Sequence, residues 1–204
     1  MRKLILLSLL TIIACLSLTT IGCKKKTNTG NSGDSKNLIV VPIDRSDTTS
    51  LPFAIPASPS SLDFTQAPFG PLQLDTFATK VDEYITPYGF QKKDIAKVLV
   101  KKLNMVIENA PGQTFDFVKD QPVSIKVFVD SFNGTNPKMV GYLDNVPRGM
   151  TSLELTAVQD DIKDYFRADY MKIMVAFRTQ ENEGCVSGAK FRVNYTFEVS
   201  ANKP

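Results

Sequence analysis

The clearest pattern in the chain lies near its C-terminus. Between residues 191 and 199 every second position is apolar, and all the residues between them are polar. The apolar set is Phe191, Val193, Tyr195, Phe197 and Val199, and the polar set is Arg192, Asn194, Thr196 and Glu198. Successive side chains of a strand point to opposite faces, so this alternation predicts a β-strand with one face in a core and the other in water.

The same two-residue period recurs through the second half of the chain, at 103–107, 123–129, 153–155 and 171–177. Gly and Pro turn signals separate these segments. One short helix is expected between Asp160 and Ala168, where Ile162, Tyr165 and Phe166 have helical spacing and would cover the core. This pattern predicts an all-β fold, specifically a two-sheet immunoglobulin-like β-sandwich with one short helix.

The N-terminus has the composition of a secretory signal. Arg2 and Lys3 precede an apolar run that ends at Ile21, and Gly22-Cys23 then leads into three lysines. This segment resembles a bacterial lipoprotein signal. The resemblance implies cleavage after Gly22, lipidation of Cys23 with acyl chains such as palmitate, and attachment to a membrane through that lipid.

Two alternatives to this interpretation stay open. Cys15 follows Ile-Ile-Ala and forms a second lipobox, although cutting there would leave Leu16 and Leu18 on the mature protein. The apolar run could also remain as an uncleaved anchor, since its length is just under the roughly 20 residues that span a bilayer. Either anchor exports the rest of the chain.

The remaining chain divides by composition. Residues 1–22 are the predicted signal peptide, and 23–36, which hold no apolar residue after Cys23, are predicted to be a disordered tether. Residues 37–71 are rich in proline and predict an extended lead-in with an edge strand at 61–65. Residues 72–204 are predicted to form the β-sandwich domain.

Charge and composition exclude several function classes. The chain has no His, so it cannot form a Ser-His-Asp or Cys-His catalytic site or a histidine metal site. Residues 37–204 hold 18 Lys plus Arg against 20 Asp plus Glu, which does not favour nucleic acid as a partner. We therefore expect no enzyme activity, no catalytic residue, no cofactor and no metal.

A few residues are candidates for ligand contact. Tyr84, Tyr88 and Phe90 surround Pro87 and Gly89 and could form an exposed aromatic platform, and Phe128 lies at a nominally exposed strand position. Cys185 is predicted to be a free loop thiol, since Cys15 leaves with the signal and Cys23 carries lipid. Two charged clusters are not expected to bind a ligand, since the acids are expected to be structural and the lysines to form a solvated face. The acids lie at 160, 161, 164 and 169, and the lysines at 92, 93, 97, 101 and 102.

The layout of signal, tether and alternating domain resembles small envelope lipoproteins of Gram-negative bacteria, and the strand rhythm is similar to immunoglobulin-like and fibronectin-like domains. The resemblance implies an outer-membrane lipoprotein facing the periplasm. We expect a non-enzymatic binding or structural module with an envelope protein or a glycan as partner. The alternatives are a carrier or chaperone of lipid or hydrophobic peptide, using a groove between the sheets, and a glycosidase that uses two carboxylates.

Overall fold

A computed structural model describes residues 38–50, 54–67 and 70–202 of the chain. The strands are β1 (Leu38–Ser50), β2 (Leu72–Ala78), β3 (Ile95–Glu108), β4 (Ile125–Ser131), β5 (Lys138–Leu143), β6 (Ser152–Ala157), β7 (Tyr170–Phe177) and β8 (Lys190–Asn202). The helices are α1 (Val81–Ile85) and α2 (Lys163–Arg167). Three 3-10 turns lie at Thr86–Tyr88, Lys92–Asp94 and Phe115–Phe117.

The eight strands of the described residues form one antiparallel sheet in the order β1-β8-β3-β6-β5-β4-β7-β2. The sheet curls so that Phe77 of β2 contacts Tyr195 of β8. In the middle of the strand order, β6 and β5 pair only at Gly141 with Ala157 and at Tyr142 with Thr156. The sheet therefore forms two layers. The first layer contains β1, β8, β3 and β6, and the second contains β5, β4, β7 and β2. This strand order is that of a jelly roll, a double-sheet architecture built from two Greek keys.

The predicted all-β class and the predicted short helix are confirmed. The helix is α2, and two of the three residues predicted to cover the core, Ile162 and Phe166, are buried. The strand order differs from an immunoglobulin-like order. Alternation within a strand states which face is buried but carries no information about which strands become neighbours, so a jelly roll and an immunoglobulin-like sandwich give the same pattern.

The lead-in assigned to residues 37–71 needs a correction, because its first part is a strand of the sandwich. β1 pairs with β8 along its whole length, from Leu38 with Asn202 to Ser50 with Lys190. Val41 and Ile43 are buried in the core, whereas Pro42 is exposed. β1 lies at the sheet edge, where a proline's missing N–H need not face a neighbouring strand. The strand expected at 61–65 is instead a single bridge between Asp63 and Arg178.

The predicted strand at 123–129 also begins two residues later than expected. Val123 has a φ of 55°, in the left-handed region that β-branched residues rarely adopt. Its N–H donates to Oδ1 of Asp144 at 2.8 Å instead of joining a ladder. The alternation in β4 thus starts at Ile125, with Val127 and Val129 also buried.

The core lies between the two layers and is rich in aromatic rings. Phe77 of β2 faces Tyr195 of β8 across the sandwich, with ring centroids 6.3 Å apart. Phe117, from the turn between β3 and β4, contacts Phe177 of the second layer at 5.8 Å and Phe191 of the first at 6.4 Å. These contacts join the layers where no hydrogen-bond ladder connects them.

A largely buried arginine connects the two edge strands. Nη1 of Arg45 in β1 donates to the carbonyl oxygens of Ala78 at 2.8 Å and Thr79 at 3.1 Å, at the end of β2. Its guanidinium lies 4.1 Å from the ring centroid of Phe77 and is paired with Asp47, with Nε to Oδ2 at 2.7 Å. Because β1 and β2 are the two ends of the strand order, this contact closes the open side of the sandwich.

Candidate functional site

The residues predicted to contact a ligand do not share one surface. Phe90 is only 2% exposed and belongs to the core, and Tyr84 packs partly buried against the same core. Tyr88 is exposed at the end of a 3-10 turn. The aromatic platform expected from Tyr84, Tyr88 and Phe90 is therefore reduced to the single ring of Tyr88.

Phe128 lies on the outer face of the second layer, between two methionines. It pairs with Met139 of β5 and Met174 of β7, and paired residues of antiparallel strands point to the same face. All three side chains are half-buried. They form a short apolar row on an otherwise mixed surface, too small to mark a binding site by itself.

Cys23, the predicted lipidation site, lies outside the described residues. So do the predicted signal peptide and the predicted tether up to residue 36. In the part of the chain that is described, no helix is long and apolar enough to cross a membrane.

The outer face of the first layer carries the most ordered set of polar side chains. Two neighbouring cross-strand rows run over β1, β8 and β3. The first row is Asp44, Thr196 and Lys102, and the second row is Ser46, Asn194 and Asn104. We call this surface the polar groove; it is open to solvent and has a volume of about 390 Å³.

Hydrogen bonds connect the side chains of the second row from one strand to the next. Oγ of Ser46 donates to Oδ1 of Asn194 at 2.7 Å, and Nδ2 of Asn194 donates to Oδ1 of Asn104 at 3.1 Å. Nδ2 of Asn104 then donates to Oγ of Ser152 in β6 at 3.0 Å and to the carbonyl oxygen of Leu153 at 3.1 Å. This chain fixes the orientation of both amides across all four strands of the layer.

The first row adds charge to the polar groove. The hydroxyl of Thr196 donates to Oδ1 of Asp44 at 2.6 Å, which holds the carboxylate at the groove surface. Lys102 is exposed on the other side of Thr196 and forms no ion pair within the described residues. The groove thus offers a carboxylate, an ammonium, two amides and two hydroxyls on three neighbouring strands.

The interior between the layers offers little space. The apolar cavity there has a volume of about 20 Å³ and is lined by Leu74, Met105, Ile125 and the phenylalanines of the core. That volume is close to the space that one water molecule occupies. This cavity is thus too small to hold an acyl chain.

Cys185 is far less accessible than its loop position suggests. The residue is 2% exposed, and its backbone N–H and carbonyl both pair with Ile55, at 2.8 Å and 3.0 Å. Burial raises the pKa of the Cys185 thiol to about 11, so the thiol is protonated at neutral pH and is a poor nucleophile. The thiol is free, as predicted, but Cys185 is a small core residue and not part of a solvent-facing loop.

The acidic cluster is divided among separate partners, as expected for structural acids. Oδ1 of Asp161 accepts from the backbone N–H of Val98 and of Lys163, at the start of α2. Asp169 lies 2.6 Å from Nζ of Lys92, and this hydrogen bond lowers the pKa of Asp169 and raises the pKa of Lys92. Within the described ranges, no three His, Cys, Asp or Glu residues are placed to share a metal ion.

No protein-family model and no curated protein matches the chain. Among solved structures, the chain is similar to a chain of Desmodium yellow mottle tymovirus, with 10% sequence identity over 89% of this chain and 97% of that chain. The TM-score of this pair is 0.28, which is too low to indicate a shared fold.

Sequence reasoning found two of the three strands of the polar groove, β8 and β3, and missed β1. The polar face of β8, with Asn194 and Thr196, is visible in the alternation. Ser46 lies in a segment interpreted as a lead-in, and Asn104 is the single polar residue between Leu103 and Met105. Only the strand register brings these three residues side by side.

Proposed function

We propose that this chain is a membrane-tethered, non-enzymatic binding module of the cell envelope, and that the polar groove holds a glycan of the envelope. The tether is a lipid on Cys23, and the domain faces the periplasm from the outer membrane. The observation that carries the ligand assignment is the hydrogen-bonded row from Ser46 through Asn194 and Asn104 to Ser152.

The chemistry of the polar groove suits a glycan. Sugar hydroxyls and acetamido groups both donate and accept hydrogen bonds, and amide and hydroxyl side chains do the same. The amides of Asn104 and Asn194 are oriented before any ligand binds, which reduces the conformational entropy lost on binding. Asp44 and Lys102 add one charge of each sign, so the groove does not select a strongly acidic or basic polymer.

The tether half of the proposal is supported by the sequence. Gly22-Cys23 follows an apolar run behind Arg2 and Lys3, in the order that bacterial lipoprotein signals show. The absence of His from the whole chain and the protonated, buried thiol of Cys185 favour binding over catalysis.

The carrier function, considered as an alternative, has less support. A carrier of lipid or hydrophobic peptide needs an apolar chamber, and the cavity between the layers is only about 20 Å³. Phe128, which prompted this alternative, lies on the outer face of the second layer and not in a groove between the layers.

Cosedimentation with purified peptidoglycan sacculi tests the proposed ligand class. The wild-type protein is compared with a double variant, Asn104→Ala and Asn194→Ala, and with Thr156→Ala as a matched control on the exposed side of β6. Each net hydrogen bond contributes about 1 kcal/mol, so the double variant should bind about tenfold more weakly or worse.

The control should bind as the wild type does, and thermal unfolding should confirm that all three proteins are folded. The glycan assignment is wrong when wild-type protein stays in the supernatant. The polar groove is the wrong surface when the double variant pellets as well as the wild type.

A further inference from the structure

The N-terminal end of β1 marks the end of the domain that is nearest to the predicted tether. Leu38 pairs with Asn202, and Ile95 at the start of β3 pairs with Ala201, so these three strand ends lie together. We call this the tether end. Ile39 and Val40, the first residues of β1 after Leu38, are both exposed apolar side chains.

Two exposed aromatic rings lie at the same end. Phe132 follows β4 and Tyr170 begins β7; they are 58% and 54% exposed, and their ring centroids are 6.2 Å apart. Arg167, just before β7, donates to the carbonyl oxygens of Lys92, Lys93 and Ile95, which places the start of β7 beside the start of β3.

Three lysines lie at the tether end. Lys92 lies with Tyr170 in a shallow pocket at this end, and Lys93 and Lys97 are exposed near the start of β3. Lys92 is paired with Asp82 and Asp169, but Lys93 and Lys97 form no ion pair within the described residues. Aromatic rings edged by lysines are typical of surfaces that lie at the boundary between water and lipid head groups.

The length of the predicted tether keeps this end close to the membrane. About 14 residues separate Cys23 from Leu38, and a chain of that length spans at most about 50 Å. A lipid on Cys23 would therefore hold the tether end at a high effective concentration against the bilayer, where even weak contacts with head groups are occupied.

We infer that the tether end lies on the phospholipid surface, with Phe132 and Tyr170 among the head groups and Lys93 and Lys97 beside lipid phosphates. This inference rests on the lipid anchor of the proposed function. It adds an orientation to that function, because the domain stands on one end of the sandwich instead of moving freely around its tether.

The absence of tryptophan from the chain allows a direct test. Phe132→Trp introduces a single fluorescent reporter at the tether end, and Tyr170→Trp is a second variant should the first fail to fold. Met150→Trp is the matched control, since Met150 is exposed and lies beside the far end of β3, where the N–H of Ile107 donates to the carbonyl oxygen of Thr151. Each lipidated full-length variant is placed in vesicles of phosphatidylethanolamine and phosphatidylglycerol, with and without bromine on the acyl chains.

The brominated lipid should quench the tryptophan fluorescence of the Phe132→Trp and Tyr170→Trp variants, and it should leave that of the Met150→Trp variant unchanged. Equal fluorescence with and without bromine in the Phe132→Trp and Tyr170→Trp variants, while the proteins float with the vesicles, overturns the orientation and leaves the anchor intact. Equal quenching at both ends also overturns it. Failure of the wild-type protein to float overturns the anchor and the orientation together.

Discussion

At the scale of single residues, burial of Cys185 makes stability depend on alkaline pH. The pKa of the thiol rises from 9.0 to about 11 on folding, so the unfolded chain loses this proton at a lower pH than the folded one. The buried, protonated thiol stabilises the folded state fully below pH 9, and this stabilisation is lost as the pH rises toward 11. The loss lowers the free energy of unfolding by about 2 to 3 kcal/mol. Urea titrations of wild type and Cys185→Ala between pH 8 and 11 measure the difference.

The wild-type protein should lose more stability over this range than Cys185→Ala does, because only the wild type carries the shifted thiol. If the free energy of unfolding falls equally with pH in both proteins, the thiol is as accessible in the folded state as in the unfolded state.

At Gly141, a single added carbon atom would clash with the core. A Cβ at this position would lie 2.5 Å from Cδ2 of the buried Leu103, on the opposite layer, and 3.3 Å from the carbonyl oxygen of Thr156. Gly141→Ala should therefore lower the free energy of unfolding by about 1 to 3 kcal/mol through overpacking. Adding Leu103→Val should restore part of the lost free energy of unfolding. A double-mutant cycle from urea denaturation measures the coupling between the two positions. Strictly additive effects would contradict the contact.

At the scale of strands and helices, Arg45 stabilises the pairing of two sheet edges. Removing it leaves Asp47 and the carbonyl oxygens of Ala78 and Thr79 without their donor, and these groups are largely buried. Arg45→Ala should lower the free energy of unfolding by about 2 to 4 kcal/mol, since breaking a buried pair leaves its partner uncompensated. Hydrogen exchange should also quicken at the end of β2.

The matched control is Glu83→Ala, which breaks the exposed pair of Glu83 with Lys80 and should change stability by less than about 1 kcal/mol. A loss for Arg45→Ala no larger than that of the control would show that β1 and β2 are held together by the core alone.

The strands that the sequence predicted and those that it missed differ in their surroundings. β8 is paired on both sides, by β1 and β3, and its alternation is unbroken over five apolar positions. β1 contains Pro42, β2 has a register shift between Gln73 and Asp75, and β5 is shifted opposite Val127 and Phe128. Edge position and bulges relax the two-residue period, so these strands carry no clear signal.

At the scale of the whole molecule, sequence reasoning reaches the architecture class but not the site. The jelly-roll order places β1 beside β8 although most of the chain separates them, and that neighbour brings Ser46 to Asn194. The polar groove is thus a product of long-range pairing, which local patterns do not encode. The aromatic platform predicted at residues 84–90 fails for the same reason. The local sequence suggested an exposed surface, but long-range packing buries Phe90 in the core.

The lipid on Cys23 is the claim on which the proposed function and the orientation of the domain both depend, and intact mass spectrometry tests it most directly. Protein from the membrane fraction of its native host is compared with a Cys23→Ser variant. We predict a wild-type mass equal to residues 23–204 plus acyl chains, and loss of that species in the variant. An unmodified full-length mass in both proteins would contradict it and leave the apolar N-terminal run as the only anchor.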